Sequence, residues 1–204
     1  VLGLYPKEAG LLGLECAGKV VAVGEGVTNF QVDDEAIAMI GGSFSQFVTV
    51  NAAMVVAMPK RFSFAEAATI PSAFLTADYT LHYLAKIQPG DRILIHAATG
   101  GVGQAAVQIA QQAGAEVLAT ASPKKWDVLK SLGVKYIMNS RNLDFAEQVM
   151  EFTQGKGVDI VLNSLTSPGF IEKSLSILRL KGRFVEISKR NVWDRKLWHK
   201  LDQM

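Results

Sequence analysis

The stretch DRILIHAATGGVGQAAVQIAQQAGAEVLATAS, residues 91–122, decides the fold of this chain. Residues 92–96 contain Ile93, Leu94 and Ile95 in a row, which predicts a buried strand, and this strand leads into a glycine-rich turn. A helix is predicted after the turn, because small and apolar residues recur there at helical spacing, and a second apolar strand follows at residues 116–120. A strand, a glycine turn, a helix and a strand within about 30 residues are typical of a dinucleotide-binding site.

The glycines explain why this turn suits a pyrophosphate group. Gly100 and Gly101 allow a sharp bend and bring backbone N–H groups close to an anion, because no Cβ atom stands in the way. Gly103 allows the helix to pack closely on the strand, and the helix N-terminus adds a partial positive charge. The alternative is a glycine-rich turn that binds nothing. We predict that the cofactor is bound by Thr99, Gly100, Gly101, Val102 and Gly103.

Length and composition exclude several classes of protein. The chain has 204 residues, of which 49% are hydrophobic, and this size suits one large domain or one domain with part of another. Its net charge of +2 is too balanced for a nucleic-acid surface. It has neither an apolar run of about 18 residues nor the start of a signal peptide. Cys16 is the single cysteine, and it shows no metal-ligand spacing with the three histidines. We therefore expect a metal-free cytoplasmic protein.

The rest of the sequence predicts two kinds of structure. Before residue 60 the pattern is β-like, and strands are predicted at residues 18–24, 36–40, 44–50 and 55–58. After residue 63 helices alternate with strands; the predicted helices include 144–153 and 169–180, and the predicted strands include 135–139, 158–163 and 183–187. This alternation predicts a parallel sheet with right-handed crossovers, which is the Rossmann type of α/β fold.

The end of the second strand of the unit bears on which dinucleotide is bound. An NAD site usually has Asp or Glu there, about 20 residues after the glycines, to bind the ribose 2′-OH. This chain has Ser122, Lys124 and Lys125 and no carboxylate, a set that suits a 2′-phosphate and favours NADPH. The alternative is that the lysines are merely solvated at a helix start. Cations at a helix N-terminus oppose the helix dipole, however, and this favours an anion nearby.

Seven blocks of sequence, taken in order, carry a resemblance to a known family. They are LGLYP, LGLECAGKVVAVGEGV, TIPSAFLTADYTLHYLAKIQPGDRILIHAATGGVGQAAVQIAQ, ATASPKK, NSRNLDFAEQV, GKGVDIVLNSL and GRFVEISKR. Together they resemble the enoyl reductase domain of modular polyketide synthases, which is similar to that of animal fatty acid synthase. This group is a zinc-free branch of the medium-chain dehydrogenase/reductase superfamily. The resemblance covers nearly all of residues 1–190.

The resemblance implies a domain organisation. We expect an α/β fold in which a Rossmann-type doubly wound parallel sheet is joined to a partial GroES-like β domain. The GroES-like substrate domain occupies residues 1–60, the NADP-binding Rossmann domain residues 61–190, and residues 191–204 form an unassigned tail. Compared with the family, the early β-strands and the C-terminal return to the first domain are missing, so we expect a truncated domain.

The resemblance also implies a reaction and its partners. A hydride from NADPH reaches the β-carbon of an enoyl thioester on an acyl carrier protein with a phosphopantetheine arm, and the α-carbon is then protonated. Neighbouring synthase domains would accompany the chain. Three alternatives stay open: a free-standing quinone or enone reductase, a reductase that forms a cyclopropane from a β-chloro enoyl thioester, and a non-catalytic nucleotide-sensing module.

Two residues match the family's catalytic candidates. Lys189, just past the last predicted strand, aligns with the lysine proposed as proton donor or enolate stabiliser. Its alternative role is that of a solvated surface lysine. Tyr5 aligns with a tyrosine that some members use to protonate the α-carbon, and its alternative is a packing aromatic before Pro6. The family's other proposed acid, an aspartate, is expected to lie beyond residue 204.

The family pattern also implies further cofactor contacts and shows departures. Leu14 stands where zinc-dependent relatives have a histidine ligand, and Trp126 stands where an arginine usually follows the lysine. The remaining predicted cofactor-binding residues lie at strand ends or at a helix start; they are Thr76, Ser122, Lys125, Arg141, Asn163 and Ser164. Capping of turns is the alternative role for polar residues in such places.

Overall fold

The computed structural model describes residues 10–189, 191 and 193. The chain divides into two compact units, Val1–Thr76 and Ala77–Met204. In the described part of the chain, no helix is long and apolar enough to cross a membrane.

The first unit contains a three-stranded antiparallel sheet in the order β1-β2-β3. Its strands are β1 (Glu15–Lys19), β2 (Glu35–Met39) and β3 (Val55–Ala57). Two helices follow, α1 (Phe64–Ala67) and α2 (Pro71–Asp78). The buried residues of this unit form a small core of Ile37, Met58 and Ala67, against which Ala17 and Phe62 pack.

The first unit confirms some predictions of local structure and corrects others. The strands predicted at 36–40 and 55–58 are present as β2 and β3. A capping box begins α1, where Ser63 and Glu66 each accept a hydrogen bond from the other's backbone N–H. The strand predicted at residues 44–50 is wrong: the segment has no strand pairing, and Phe44 and Phe47 are largely exposed. The strand predicted at 18–24 ends at Lys19. Backbone bonds continue for one more residue, from Val20 to Asp33 and Asp34, and the positive φ of 74° at Asp33 then turns the partner chain away.

The second unit is built on a five-stranded parallel sheet in the order β6-β5-β4-β7-β8. Its strands are β4 (Arg92–Ile95), β5 (Glu116–Ala121), β6 (Tyr136–Asn139), β7 (Val158–Asn163) and β8 (Leu178–Glu186). The chain winds outward from β4 to β6 and then returns to the other side of β4. The predicted Rossmann fold is therefore confirmed, and its topological switch point lies between β4 and β7.

Helices connect and cover the parallel strands. They are α3 (Gly101–Gln112), α4 (Trp126–Ser131), α5 (Phe145–Phe152) and α6 (Phe170–Ser176). A π-helical segment, Tyr79–Leu84, precedes β4. The central strands are apolar on both faces, as a sheet covered by helices requires. Leu94, Leu118 and Val161 pack with Phe145 and Phe170 in a single buried cluster.

The end of the unit differs from the prediction. The helix predicted at 169–180 ends at Ser176, and the last strand begins at Leu178 instead of 183. The reason is an irregularity in the pairing of β8: Val158 is opposite Leu178, whereas Ile160 is already opposite Arg183. The extra residues of β8 are looped out where Lys181 has a φ of 66°. Such an irregularity leaves no periodic signal in the sequence.

Candidate functional site

The sheet brings most of the predicted site residues to one edge. Parallel strands place all their carboxyl ends on the same side, and ligands of open α/β sheets bind outside those ends. The loops or last residues of β4 to β8 carry the following predicted residues: Thr99, Gly100, Gly101, Val102 and Gly103 after β4, Ser122 and Lys125 after β5, Arg141 after β6, Asn163 and Ser164 at the end of β7, and Lys189 after β8. Thr76 lies in α2 of the first unit. Tyr5 lies outside the described residues.

The glycine turn after β4 has the close packing that the sequence predicts. A Cβ atom on Gly103 would lie 2.6 Å from Ala98 Cα and 2.7 Å from Ala97 O, so only glycine fits there. A Cβ on Gly100 would meet only Ala97 O, at 3.4 Å. No side chain caps the start of α3. The backbone N–H groups of its first turn, at the positive end of the helix dipole, can therefore donate hydrogen bonds to an anion in the loop. These features fit the pyrophosphate of a dinucleotide.

A buried histidine, His96, makes hydrogen bonds directly before the glycine turn. Nδ1 of His96 lies 3.0 Å from Thr120 Oγ1, and its Nε2 lies 2.9 Å from Ser174 Oγ. The N–H of Ala97 donates to the same Thr120 oxygen at 3.2 Å, and Ala97 has the unusual φ of 48°. A neutral imidazole has one donor and one acceptor, and two hydroxyl groups satisfy both. The network links β4, β5 and α6 directly before the glycine turn.

His96 makes the stability of the second unit depend on pH. Burial lowers the pKa of His96 to about 3, and the rings of Phe145 and Phe170 lie against it. In the unfolded chain the pKa of a histidine is about 6.5. Between these values the unfolded state binds a proton that the folded state does not, so stability falls as the pH falls.

We expect the free energy of unfolding to be independent of His96 above about pH 6.5 and to decrease by up to about 1.4 kcal/mol per pH unit below it. Chemical denaturation at several pH values measures this slope. His96→Gln removes the titrating group and should flatten the slope. Equal slopes in wild type and His96→Gln would contradict the prediction.

After β5, Trp126 stands at the position where the family pattern has an arginine, and it anchors the turn. Trp126 Nε1 donates to Ala121 O at 3.1 Å, which fixes the turn between β5 and α4. The N–H of Lys125 donates to Ser122 O at 2.9 Å within the same turn. The side chains of Lys124 and Lys125 are exposed and accessible to an anionic ligand. Sequence reasoning identified the two lysines but missed the anchoring role of the tryptophan.

At the ends of β6 and β7 the predicted residues differ in accessibility. Arg141 is exposed, and its N–H donates to Asn139 Oδ1 at 3.0 Å. Ser164 Oγ donates to His96 O at 3.4 Å, which joins the loops after β7 and β4 at the switch point. Asn163 is fully buried, and its side-chain amide donates to Glu186 and to Leu165 O. Its predicted contact with the cofactor stays a prediction.

Glu186 is a residue at this edge that the sequence analysis missed. It is the last residue of β8, and its carboxylate accepts hydrogen bonds from Asn163 Nδ2 at 2.6 Å and from the Ser188 N–H at 2.7 Å. Ser188 immediately precedes Lys189. The sequence offered one signal for this residue, namely a carboxylate near the end of the strand predicted at 183–187. Its partner, Asn163 at the end of β7, could not be identified without the register between β7 and β8.

The residues around Leu14 do not fit a zinc site. Leu14 is exposed and is no ligand, and Glu15 Oε2 accepts the Ser72 N–H at 2.7 Å near the start of α2. Burial raises the pKa of the Cys16 thiol, which disfavours the thiolate that zinc requires. Among the described residues, no group of three or more His, Cys, Asp or Glu side chains could hold a metal ion.

Comparison with known proteins places the chain among dehydrogenases. Residues 3–60 match the alcohol dehydrogenase GroES-like domain, and residues 101–194 match the zinc-binding dehydrogenase family. This family and the glycine turn together indicate a nicotinamide coenzyme. The phenolphthiocerol synthesis polyketide synthase type I Pks15/1 of Mycobacterium marinum is 46% identical over 95% of this chain. The chain spans 9% of that protein's length.

Solved structures narrow the assignment. CurK enoyl reductase is 54% identical over 95% of this chain and 63% of its own, with a TM-score of 0.89. The CurF ER cyclopropanase from the curacin A biosynthetic pathway is 50% identical over 92% of this chain and 56% of its own, with a TM-score of 0.86. A structure described as a proposed enoyl reductase domain of a polyketide synthase is 42% identical, with a TM-score of 0.56, and the match covers 65% of this chain and 83% of that one. The chain therefore belongs to the enoyl reductase domains of polyketide synthases, within the medium-chain dehydrogenase/reductase superfamily.

Proposed function

We propose that this chain uses NADPH to reduce the α,β double bond of an enoyl thioester carried on an acyl carrier protein during polyketide assembly. The observation that carries the proposal is the edge of the parallel sheet. There the uncapped glycine turn before α3 and the segment bearing Lys189 lie at the carboxyl ends of strands of one sheet. Family membership supports the choice of substrate class.

The residues at this edge match the needs of the reaction. When bound, a reduced nicotinamide supplies the hydride that forms the new C–H bond at the β-carbon. The electrons of the double bond then move to the thioester oxygen, and the resulting enolate needs a positive group nearby and a proton at the α-carbon. Lys189 is exposed, and a lysine ammonium group supplies a positive charge and three N–H donors. It would stabilise the enolate and donate the proton. Tyr5 is the second candidate donor.

The preference for NADPH is proposed from the end of β5. Ser122 and Lys125 would bind the 2′-phosphate, and no carboxylate stands where it would repel that group. Arg141 follows the neighbouring strand β6 and would lie over the adenine or beside the phosphate. Trp126 holds this turn against the strand end, which leaves the lysine side chains on the outside.

Lys125→Ala should weaken NADPH binding selectively. A hydrogen bond to a charged group contributes about 1.5–3 kcal/mol, so we expect the KM for NADPH to rise about 10-fold or more. The KM for NADH should change little, because NADH lacks the 2′-phosphate. Steady-state kinetics with both coenzymes measures the ratio. Lys130→Ala is the control, since Lys130 is an exposed lysine paired with Asp127 on α4. An equal change for both coenzymes would contradict the assignment.

The domains and partners are also proposals. We assign residues 1–60 to a GroES-like substrate domain and residues 61–190 to the NADP-binding domain, with no assignment for residues 191–204. Because the relative of M. marinum is about ten times longer than the matched region, we propose that neighbouring synthase domains and a carrier protein act with this chain. The substrate would then arrive on a phosphopantetheine arm.

A second candidate is favoured by one comparison. The cyclopropanase CurF is 50% identical to this chain, only slightly less than the enoyl reductase CurK. In such a reaction hydride adds to the β-carbon, and the α-carbon of the enolate then displaces chloride from the γ-carbon. The new bond between the α- and γ-carbons closes a three-membered ring, and the α-carbon takes no proton. The predicted site residues named above do not distinguish the two outcomes.

One assay tests both candidates. The full-length protein is incubated with NADPH and a crotonyl-type thioester, and then with a chlorinated enoyl thioester, while NADPH consumption and product mass are followed. Saturated product from both substrates supports simple reduction. Loss of chloride with ring formation favours the second candidate. NADPH oxidation by quinones but not by thioesters, or binding without oxidation, would overturn the proposal.

A further inference from the structure

The ends of β7 and β8 are tied together by a pair of side chains. Asn163 is the last residue of β7 and Glu186 the last of β8, and the two are partners in the parallel register. Asn163 Nδ2 donates to Glu186 Oε2 at 2.6 Å. The N–H of Ile187 donates to Asn163 O at 3.0 Å. A side-chain bond and a backbone bond thus fix the point at which the chain leaves the sheet.

The second oxygen of Glu186 fixes the segment that follows. Glu186 Oε1 accepts the N–H of Ser188 at 2.7 Å. One carboxylate therefore holds the end of β7 with one oxygen and the residue before Lys189 with the other. Hydrogen bonds to an ionised acceptor are roughly twice as strong as neutral ones. The two bonds at Ile187 and Ser188 hold the backbone immediately before Lys189.

Asn163 is a rigid anchor for this arrangement. Its side chain is fully buried, its Oδ1 accepts the Leu165 N–H at 3.3 Å, and its amide also donates to Leu165 O at 3.2 Å. Leaving a buried donor or acceptor without its partner costs about 1–3 kcal/mol, so the amide resists displacement. The rigidity of β7 is thereby transmitted to the end of β8.

We propose that Asn163 and Glu186 form a brace that positions Lys189 for the reaction. The proposal rests on the proposed function, because it assigns the brace to the lysine that acts on the enolate. Both are positioning residues, since they act through the segment that carries Lys189. For Asn163 this is a role distinct from the cofactor contact predicted from sequence. Misplacing a reacting group by about 1 Å can reduce a rate by about 100-fold.

Glu186→Ala in the full-length protein tests the brace with two readouts. Hydrogen–deuterium exchange should become about 10-fold faster at the amides of Ile187 and Ser188, since each is held directly or indirectly by Glu186. The kcat for enoyl thioester reduction should fall about 10- to 100-fold, whereas the KM for NADPH should change less than about 2-fold. A purely structural loss would change both constants or the melting temperature.

Two further variants control the experiment. Glu186→Gln keeps one acceptor oxygen and turns the other position into a donor, so both effects should be intermediate. Glu151→Ala removes an exposed carboxylate on α5 and should change neither readout. If Glu186→Ala does not fold, Glu186→Gln carries both measurements.

The outcomes separate the brace from the proposed function. Unchanged exchange at Ile187 and Ser188 overturns the brace. Faster exchange with unchanged kcat overturns the positioning of Lys189. If the wild-type protein reduces no enoyl thioester, the proposed function fails and the positioning role fails with it, while the exchange rates still report whether the brace exists.

Discussion

Replacing Gly103 with alanine is expected to destabilise the second unit and to abolish coenzyme binding. The new Cβ would lie 2.6 Å from Ala98 Cα and 2.7 Å from both Ala97 O and Ala98 C. These are backbone atoms, so a side-chain rotation cannot relieve the contact, and α3 would have to move away from β4. Overpacking of this kind typically costs about 1–3 kcal/mol. Thermal or chemical denaturation with coenzyme titration measures both effects.

Gly100→Ala is the matched control, because it separates folding from binding. Its Cβ would meet only Ala97 O, at 3.4 Å, which is an ordinary contact, and the φ of −76° suits alanine. Stability should therefore stay within about 0.5 kcal/mol of wild type, as is usual for accessible positions. Affinity for the coenzyme should fall, since a methyl group in this turn would hinder the close approach of the pyrophosphate proposed to bind there. Wild-type affinity in Gly100→Ala, or wild-type stability in Gly103→Ala, would contradict our account of the turn.

Lys189→Ala is expected to lower kcat for enoyl thioester reduction by about 10²- to 10⁴-fold, the usual contribution of a positioned acid or base. The side chain is exposed, so the melting temperature and the dissociation constant for NADPH should change little. Single-turnover measurements with a crotonyl-type thioester isolate the chemical step. Lys135→Ala, at an exposed lysine before β6, is the control and should retain full activity.

Lys189→Arg distinguishes the two roles proposed for the lysine. A guanidinium keeps the positive charge but does not release a proton near neutral pH. Partial activity in this variant would indicate stabilisation of the enolate, and activity as low as in Lys189→Ala would indicate proton donation. Tyr5→Phe removes the second candidate donor. Wild-type rates in both Lys189→Ala and Tyr5→Phe would overturn the catalytic assignment without affecting the fold.

The parts of the structure that were predictable are those where several local signals agree. Residues 91–122 combine an apolar run, a glycine turn and helical periodicity, and all three predict the same βαβ unit. The sheet edge followed from the same reasoning, because parallel strands place their carboxyl ends together. The family pattern predicted Asn163 as a cofactor contact, and the parallel sheet brings it to the same edge as Gly100.

The parts that were not predictable depend on contacts between distant residues. The bond between Asn163 and Glu186 requires the register of β7 against β8, which a single sequence does not encode locally. The bond from Trp126 Nε1 to Ala121 O depends on the geometry of the turn between β5 and α4, which the sequence pattern does not specify. The strand predicted at 44–50 fails for a related reason: alternation alone cannot form a strand without a partner.

The looped-out residues of β8 bear on how this domain can diversify. Pairing with β7 is interrupted between Leu178 and Arg183 and then continues regularly to Glu186. Insertions or deletions at residues 179–182 would be absorbed at the amino end of the sheet, far along the strand from Lys189. A change of chain length at this position is therefore expected to leave the geometry of the opposite end of β8 unchanged.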